Sequence, residues 1–264
     1  MPCPYLFNPH YNPLKTDQTM DNLTGKTIFI TGGAQGIGEA TARLCAERGA
    51  TVILADMKAE QGEAVAKSIG GNASFIQLDV REDAQVNAAF THVKEKHGKL
   101  DALVCAAGIL KGAFQTPEEM PVELFQMVQD VNVRGVFLCS KYATPMLEAT
   151  GGVMVVIASG AGVSGPSSSL AYGASKGGAN GLGMTLGGHL APRGIRVNVL
   201  CPGNIVTEMK LSVDIARAEM DGANVQDAID RANQNYGVPE GMAKIIAFMV
   251  SDDADYLRGT LFTR

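Results

Sequence analysis

Thr27-Ile-Phe-Ile-Thr31-Gly-Gly-Ala-Gln-Gly36-Ile-Gly38 is a short apolar run that breaks into glycine and opens a helix-like stretch, Glu39 to Gly49. It reads as strand, tight turn, helix. Backbone N–H groups at a helix N-terminus face the positive end of the helix dipole, so such a turn can hold a diphosphate. Gly32, Gly36 and Gly38 stand where a Cβ would block the turn or keep a phosphate away. Their spacing is Gly-xxx-Gly-x-Gly, not the Gly-x-Gly-xx-Gly of other dinucleotide folds. Glycine also marks turns that bind nothing, so the rest of the chain decides what this one holds.

The alternation continues along the chain. Short β-branched runs recur at Thr27–Thr31, Thr51–Ala55, Ser74–Leu78, Ala102–Cys105, Val153–Ala158 and Arg196–Leu200. Helical patterns fall between them at Gly38–Gly49, Ala59–Ile69, Ala84–His97, Val122–Thr150 and Tyr172–Ala191. Pro239–Val250 reads as a last helix and Gly259–Thr263 as a last strand. The runs are apolar throughout, as in strands buried on both faces. This pattern predicts an α/β fold: a doubly wound, mostly parallel seven-stranded sheet with right-handed crossovers and helices on both faces. Residues 23–264 are expected to form one domain. Within it, the polar stretch 208–236, with Leu211, Val213, Ile215 and Met220 spaced along it, is expected to be an inserted helical lid. Residues 1–22 carry Pro2, Pro4, Pro9 and Pro13 without periodicity, and read as an arm outside the core. Such an arm is either a disordered extension or a strap laid on a partner subunit. Met20, just before the core begins, is a second candidate start.

The bulk composition narrows the class. A chain of 264 residues that is 46% hydrophobic suffices for one α/β domain with an ample core. The net charge of −5 and the lack of a basic run argue against a nucleic-acid surface. Five cysteines, Cys3, Cys45, Cys105, Cys139 and Cys201, are scattered with no CxxC pair. That suggests free thiols in a reducing, cytoplasmic setting rather than a disulfide or zinc framework. The histidines show no ligand spacing, so no metal is expected. No apolar run is long enough to span a bilayer, and no charged start and apolar h-region of a secretory signal is visible.

Two further features carry chemistry. Asp56 ends the second apolar run, 18 residues after Gly38. A carboxylate there can accept both hydroxyls of an adenosine ribose and would repel a 2′-phosphate, which favours NAD over NADP. Gln35, not an Arg, sits inside the glycine loop; Lys58 is the one nearby cation. Tyr172-Gly-Ala-Ser-Lys176 puts a phenol and an ammonium on one helix face at i, i+4. An ammonium beside a phenol favours phenolate. A fall of roughly three units from tyrosine's usual pKa would make Tyr172 an acid and base near neutrality.

With these residues in this order, the chain resembles the short-chain dehydrogenase/reductase family over about residues 23–263. The resemblance rests on Thr31-Gly-xxx-Gly-x-Gly38, Asp79-Val80, Ala106-Ala107-Gly108, Asn132, Ser159, Tyr172-xxx-Lys176, Pro202-Gly203 and Thr207. It implies a Rossmann-type fold and an NAD(H)-dependent oxidoreductase that interconverts a secondary alcohol and a ketone. Tyr172 would exchange a proton with the substrate oxygen. Lys176 would lower the Tyr172 pKa and hold the nicotinamide ribose. Ser159 would hydrogen-bond the substrate oxygen, and Asn132 would keep a water in the proton relay. The cofactor would lie along Gly32, Gln35, Gly36, Ile37 and Gly38, then Asp56 and Met57. Asp79 would receive the adenine amino group beside Val80, followed by Ala106, Ala107 and Gly108. Tyr172, Lys176, Pro202, Gly203, Ile205 and Thr207 would complete the nicotinamide end. A homo-oligomer, dimer or tetramer, is implied as well.

The chain departs from the family pattern in three places. Ala106 replaces the usual Asn, where a small loss of rigidity is expected. The helix carrying Tyr172 is rich in glycine, with Gly173, Gly177, Gly178, Gly181, Gly183, Gly187 and Gly188. Interior helical glycine costs roughly 1 kcal/mol relative to Ala, so close packing against another helix is expected to offset it. The family tends to end in Asp-Gly-Gly, whereas this chain stops at Arg264, as if trimmed or shortened. Two alternatives are weighed. An NADP(H)-dependent ketoreductase, such as a 3-oxoacyl-carrier-protein reductase, is opposed by Asp56 and by Leu138, where such enzymes tend to carry a basic residue. A non-catalytic dinucleotide-binding protein is opposed by the complete set Asn132, Ser159, Tyr172 and Lys176. Ile109 to Phe114, Ala161 to Leu170, Asn204 and the lid are expected to wall a substrate pocket.

Overall fold

The computed structural model describes residues 22–263. The expected arm, residues 1–22, lies outside them except for Asn22, as does the terminal Arg264. Seven strands form one sheet: β1 (Thr27–Thr31), β2 (Thr51–Asp56), β3 (Ala73–Gln77), β4 (Ala102–Cys105), β5 (Val153–Ile157), β6 (Arg196–Cys201) and β7 (Gly259–Phe262). Their order across the sheet is β3-β2-β1-β4-β5-β6-β7, and every pairing is parallel. The third strand sits one residue earlier than the sequence predicts.

Both faces of the sheet are covered, which is why the strands read as unbroken apolar runs. Phe29, Leu103, Val156 and Val199 point to one face and pack with Val86, Phe90 and Leu147 from α3 (Asp83–His97) and α5 (Gly135–Thr150). Ile28, Ile30, Leu54, Val104 and Val155 point to the other. There they meet Ala42 and Cys45 of α1 (Gly36–Glu47), Val65 of α2 (Ala59–Ile69), and Met242 and Ile246 of α9 (Pro239–Val250).

The long helix expected over Val122–Thr150 is interrupted. It comprises α4 (Val122–Gln129), a π-helical turn over Asp130–Arg134, and α5. The wider turn places Asn132 inside the molecule, a placement that 3.6-residue periodicity does not encode. Helix α6 (Leu170–Leu190) starts two residues before the predicted point, because the Ser169 hydroxyl caps it by accepting the Tyr172 N–H at 3.2 Å. The stretch 208–236 folds as two helices, α7 (Glu208–Met220) and α8 (Val225–Asn235), capped by Thr207 and Asn224.

The glycines of α6 do not all do what the sequence suggested. A Cβ on Gly183 would lie 2.5 Å from Val199, so that glycine lets the helix sit close on the sheet, not on another helix. Gly162, in the loop after β5, has φ +83° and no room for a Cβ, which would fall 2.1 Å from the Gly173 carbonyl. Gly181 and Gly188 face open space.

Candidate active site

The carboxyl ends of β1, β2, β4, β5 and β6 open into one cleft of about 900 Å³. The strand order reverses there between β1 and β4, the position where open parallel sheets bind ligands. The glycine loop forms its floor. A side chain on Gly32 (φ +70°) would strike the Ala106–Ala107 backbone at 2.7–2.8 Å, and one on Gly38 would fall 2.1 Å from the Gly32 carbonyl. These glycines let the loop pack tightly on itself and on the segment after β4, with the first turn of α1 behind it. Bare backbone at a helix N-terminus is a form of turn that can hold a diphosphate. A Cβ on Gly36 would lie 3.5 Å from the Thr207 methyl, which brings the start of α7 over the loop.

At the β2 end, the Asp56 carboxylate accepts the Ala34 N–H at 3.2 Å and the Lys58 N–H at 3.0 Å. These bonds fix the carboxylate while leaving lone pairs for a diol. The Lys58 ammonium is turned to the Gln35 side-chain oxygen Oε1 (2.5 Å) and towards Glu208 (3.5 Å). Asp79 lines the cleft too, but its carboxylate is gripped by the Arg81 guanidinium at 2.6 Å, which holds it below its usual pKa. The Thr31 hydroxyl accepts the Ala107 N–H at 3.2 Å and ties β1 to the segment beyond β4.

Ser159, Tyr172 and Lys176 converge at the β5 end. Tyr172 lies in the first turn of α6, and Lys176 one turn on, with its ammonium 5.6 Å from the phenol ring centre. Lys176 is buried and donates to the Ile157 carbonyl at 2.8 Å. The Ser159 hydroxyl lies near enough to the Tyr172 phenol to draw its pKa down. The predicted electrostatics need correction. Burial pushes the Tyr172 phenol above its usual pKa, and the opposing pull comes from the Ser159 hydrogen bond. Burial also brings Lys176 down to about 8. Helical spacing reports proximity but not desolvation, which here outweighs the expected ammonium–phenol effect.

Every residue expected to hold a cofactor lines this cleft: Gly32, Gln35, Gly36, Ile37, Gly38, Asp56, Met57, Asp79, Val80, Ala106, Ala107, Gly108, Tyr172, Lys176, Pro202, Gly203, Ile205 and Thr207. Asn132 lies behind it. Its amide accepts the Ile109 N–H at 2.8 Å and donates to the Ile109 carbonyl and the Ser175 hydroxyl, both at 2.9 Å. It thereby ties the loop after β4 to α6. The position where a Gly108 side chain would begin is 3.4 Å from both Asn132 Oδ1 and Lys176 Nζ. Of the expected pocket walls, Ile109, Leu110, Phe114, Ala161, Ser167 and Asn204 line the cleft, while Lys111, Val163 and Leu170 do not. Sequence reasoning placed Phe114 in the wall but not its conformation, φ +66° with its N–H on the Ser168 carbonyl at 2.7 Å, nor the Arg217 guanidinium 5.5 Å over its ring. No local signal marks either, since both depend on segments far apart in the chain. Among the described residues no cluster of His, Cys, Asp or Glu could hold a metal ion.

Comparison with known proteins points the same way. The family model for short chain dehydrogenases matches residues 26–218. The chain is 34% identical to the (-)-isopiperitenol/(-)-carveol dehydrogenase of Mentha piperita, over 91% of this chain and 92% of that one. It is 34% identical to a 2,5-dichloro-2,5-cyclohexadiene-1,4-diol dehydrogenase of Sphingobium indicum, covering 91% and 96% of the two chains. A 3beta-hydroxysteroid dehydrogenase of Mediterraneibacter gnavus is 31% identical over 92% of this chain and 94% of its own.

Proposed function

The chain belongs to the short-chain dehydrogenase family of oxidoreductases, and from that premise we propose that it interconverts a secondary alcohol and a ketone using NAD(H). The observation that carries the reading is the convergence of Ser159, Tyr172 and Lys176 on the cleft floored by the glycine loop. The glycine loop fits a diphosphate, and Asp56 fits an unphosphorylated adenosine ribose. When bound, the nicotinamide takes up or returns the hydride.

The chain's own residues move and hold the proton. Tyr172 Oη takes the alcohol's hydroxyl proton during oxidation and returns it during reduction. Ser159 donates to the substrate oxygen as charge develops there. Lys176, when protonated, opposes the burial that raises the Tyr172 pKa, and it would hold the ribose of a bound nicotinamide nucleotide. Asn132 holds the loop after β4, and the gap above Gly108 suits a water between its amide oxygen and Lys176. The similar dehydrogenases are named for isopiperitenol and carveol, a cyclohexadienediol and a 3beta-hydroxysteroid, which supports a ring-bearing alcohol.

A cytoplasmic location is part of the reading. It is supported by the buried free thiols Cys45, Cys105, Cys139 and Cys201. Among the described residues no helix is long and apolar enough to cross a membrane. We also read the chain as a homo-oligomer, from apolar side chains left exposed on α4–α5 and around β7.

Tyr172→Phe tests the chemistry. Alcohol oxidation followed by NADH absorbance should fall about a thousandfold, while NAD affinity by titration calorimetry stays within about twofold of wild type. Wild-type turnover by this variant would refute the mechanism. Initial rates with both cofactors test the other half, since NADP used better than NAD would overturn the reading of Asp56.

A further inference from the structure

We propose that Arg217 is a specificity residue that binds a carboxylate on the substrate, at the end remote from the reacting carbon. This deepens the dehydrogenase reading and rests on it. The cleft is lined by several charged side chains, and most already have polar partners. Lys58 turns to Gln35 and Glu208. Lys176 donates to the Ile157 carbonyl. Lys210 bonds Asp214 and reaches the Tyr236 hydroxyl at 3.3 Å. Arg217 differs: only its Nε is engaged, by Asp221 at 2.7 Å. Its two terminal amino groups make no hydrogen bond among the described residues.

The position of Arg217 argues for a substrate group rather than a cofactor phosphate. Helix α7 begins beside the glycine loop, where a Gly36 side chain would meet Thr207. Arg217 lies nine residues after Glu208, about 13 Å further along the helix axis. Its guanidinium stands over Phe114, and Phe114 is bonded to Ser168 in the segment between Ser159 and Tyr172. The arginine therefore sits at the substrate end of the cleft, with its guanidinium carbon 5.5 Å from the centre of the Phe114 ring. The Asp221 pair is about half exposed on both sides, so solvent screens it and it competes weakly for the charge. A guanidinium with two free amino groups suits a planar, two-oxygen anion. The adjoining walls, Phe114, Met209 and Val213, suit an apolar body between that anion and the reacting C–OH. The substrate class is a hydroxy acid, or the matching keto acid, with an apolar ring or chain between the two groups.

The test compares matched pairs. Hydroxycyclohexane carboxylates and (hydroxyethyl)benzoates, each beside its primary amide, are assayed for NAD-dependent oxidation with the full chain, together with neutral cyclic alcohols. Wild type should favour each acid over its amide by about ten- to a hundredfold in kcat/KM. In Arg217→Gln the acid-to-amide ratio should fall towards one, through KM more than kcat. Arg217→Lys, which keeps charge without the fork, should give an intermediate ratio. An undiminished ratio in Arg217→Gln, or equal losses on acid and amide, would overturn the proposal and leave Arg217 as a latch on Phe114. Oxidation of neutral alcohols alone would overturn it while sparing the dehydrogenase reading. Silence of every alcohol with both cofactors would sink that reading as well.

Discussion

Lys176 is a buried cation in a cleft that gains from its charge, and its cost to the fold is measurable. Burial lowers its pKa from 10.5 to about 8. Below about pH 8 the folded protein carries the charge at that cost. Between there and 10.5 the unfolded chain still binds a proton that the folded chain has released, so this group makes stability rise with pH. The full span is roughly 3 kcal/mol. Lys176→Met should therefore gain most over wild type at neutral pH. Its advantage should shrink by about 3 kcal/mol as pH rises through that window, checked by urea unfolding of both proteins across the range. A constant difference would show that Lys176 is not desolvated as its burial implies. At this scale the sequence was legible wherever chemistry follows spacing. Asp56 at the end of β2, and Tyr172 and Lys176 one turn apart, could be read as a set. What was not legible depends on burial or on distant segments: the direction of the Tyr172 shift, the left-handed Phe114, and the approach of Arg217 to it.

The loop between β5 and α6 is the element that fixes Ser159 relative to Tyr172, and it does so by backbone contact. Gly162 lies against the bare turn of α6 at Gly173, and its N–H bonds the Gly165 carbonyl at 2.7 Å. Gly162→Ala would place a methyl 2.1 Å from the Gly173 carbonyl at a φ of +83°. The loop must then lift off the helix. We expect a loss of about 2 kcal/mol in stability and a larger proportional fall in kcat than in stability, because Ser159 moves from the phenol. Gly188→Ala is the control: it adds a Cβ into open space on the same helix. It should stabilise by about 0.5–1 kcal/mol. Thermal melts and steady-state rates on both variants check the pair. Equal effects would mean that the close approach of Gly162 to Gly173 does not constrain the loop. Most element positions followed from apolar runs and glycine stops such as Gly98 and Gly151, both left-handed. The π-helical turn at Asp130–Arg134 did not, because the extra residue per turn leaves the apolar spacing of Val128, Val131 and Val136 close to helical.

On the scale of the whole molecule, two separate regions keep large apolar side chains in water. One lies on α4 and α5, with Val122 76% exposed, Phe137 49% and Phe125 36%. The other surrounds β7, the last strand of the sheet, with Met184, Phe248 and Phe262 exposed. Among the described residues, strand β7 also leaves one edge unpaired, a feature that folded proteins usually cover. Isologous contacts bury the same patch on two copies, so one patch alone would account for a dimer. Two patches on different elements account for a dimer of dimers. Sedimentation equilibrium should therefore give a tetramer for the full chain. Phe137→Asp places a charge in the first patch only and should leave a dimer held through the β7 region. Phe262→Asp should leave the other dimer, and the double variant a monomer. A monomeric wild type would remove the reading, and a tetramer untouched by either charge would place its interfaces elsewhere. Both dimers should keep the cleft, because Gly32, Asp56, Ser159, Tyr172 and Lys176 all come from one chain. Loss of turnover in either dimer, with the fold intact, would mean that a neighbouring subunit supports α6, α7 or α8.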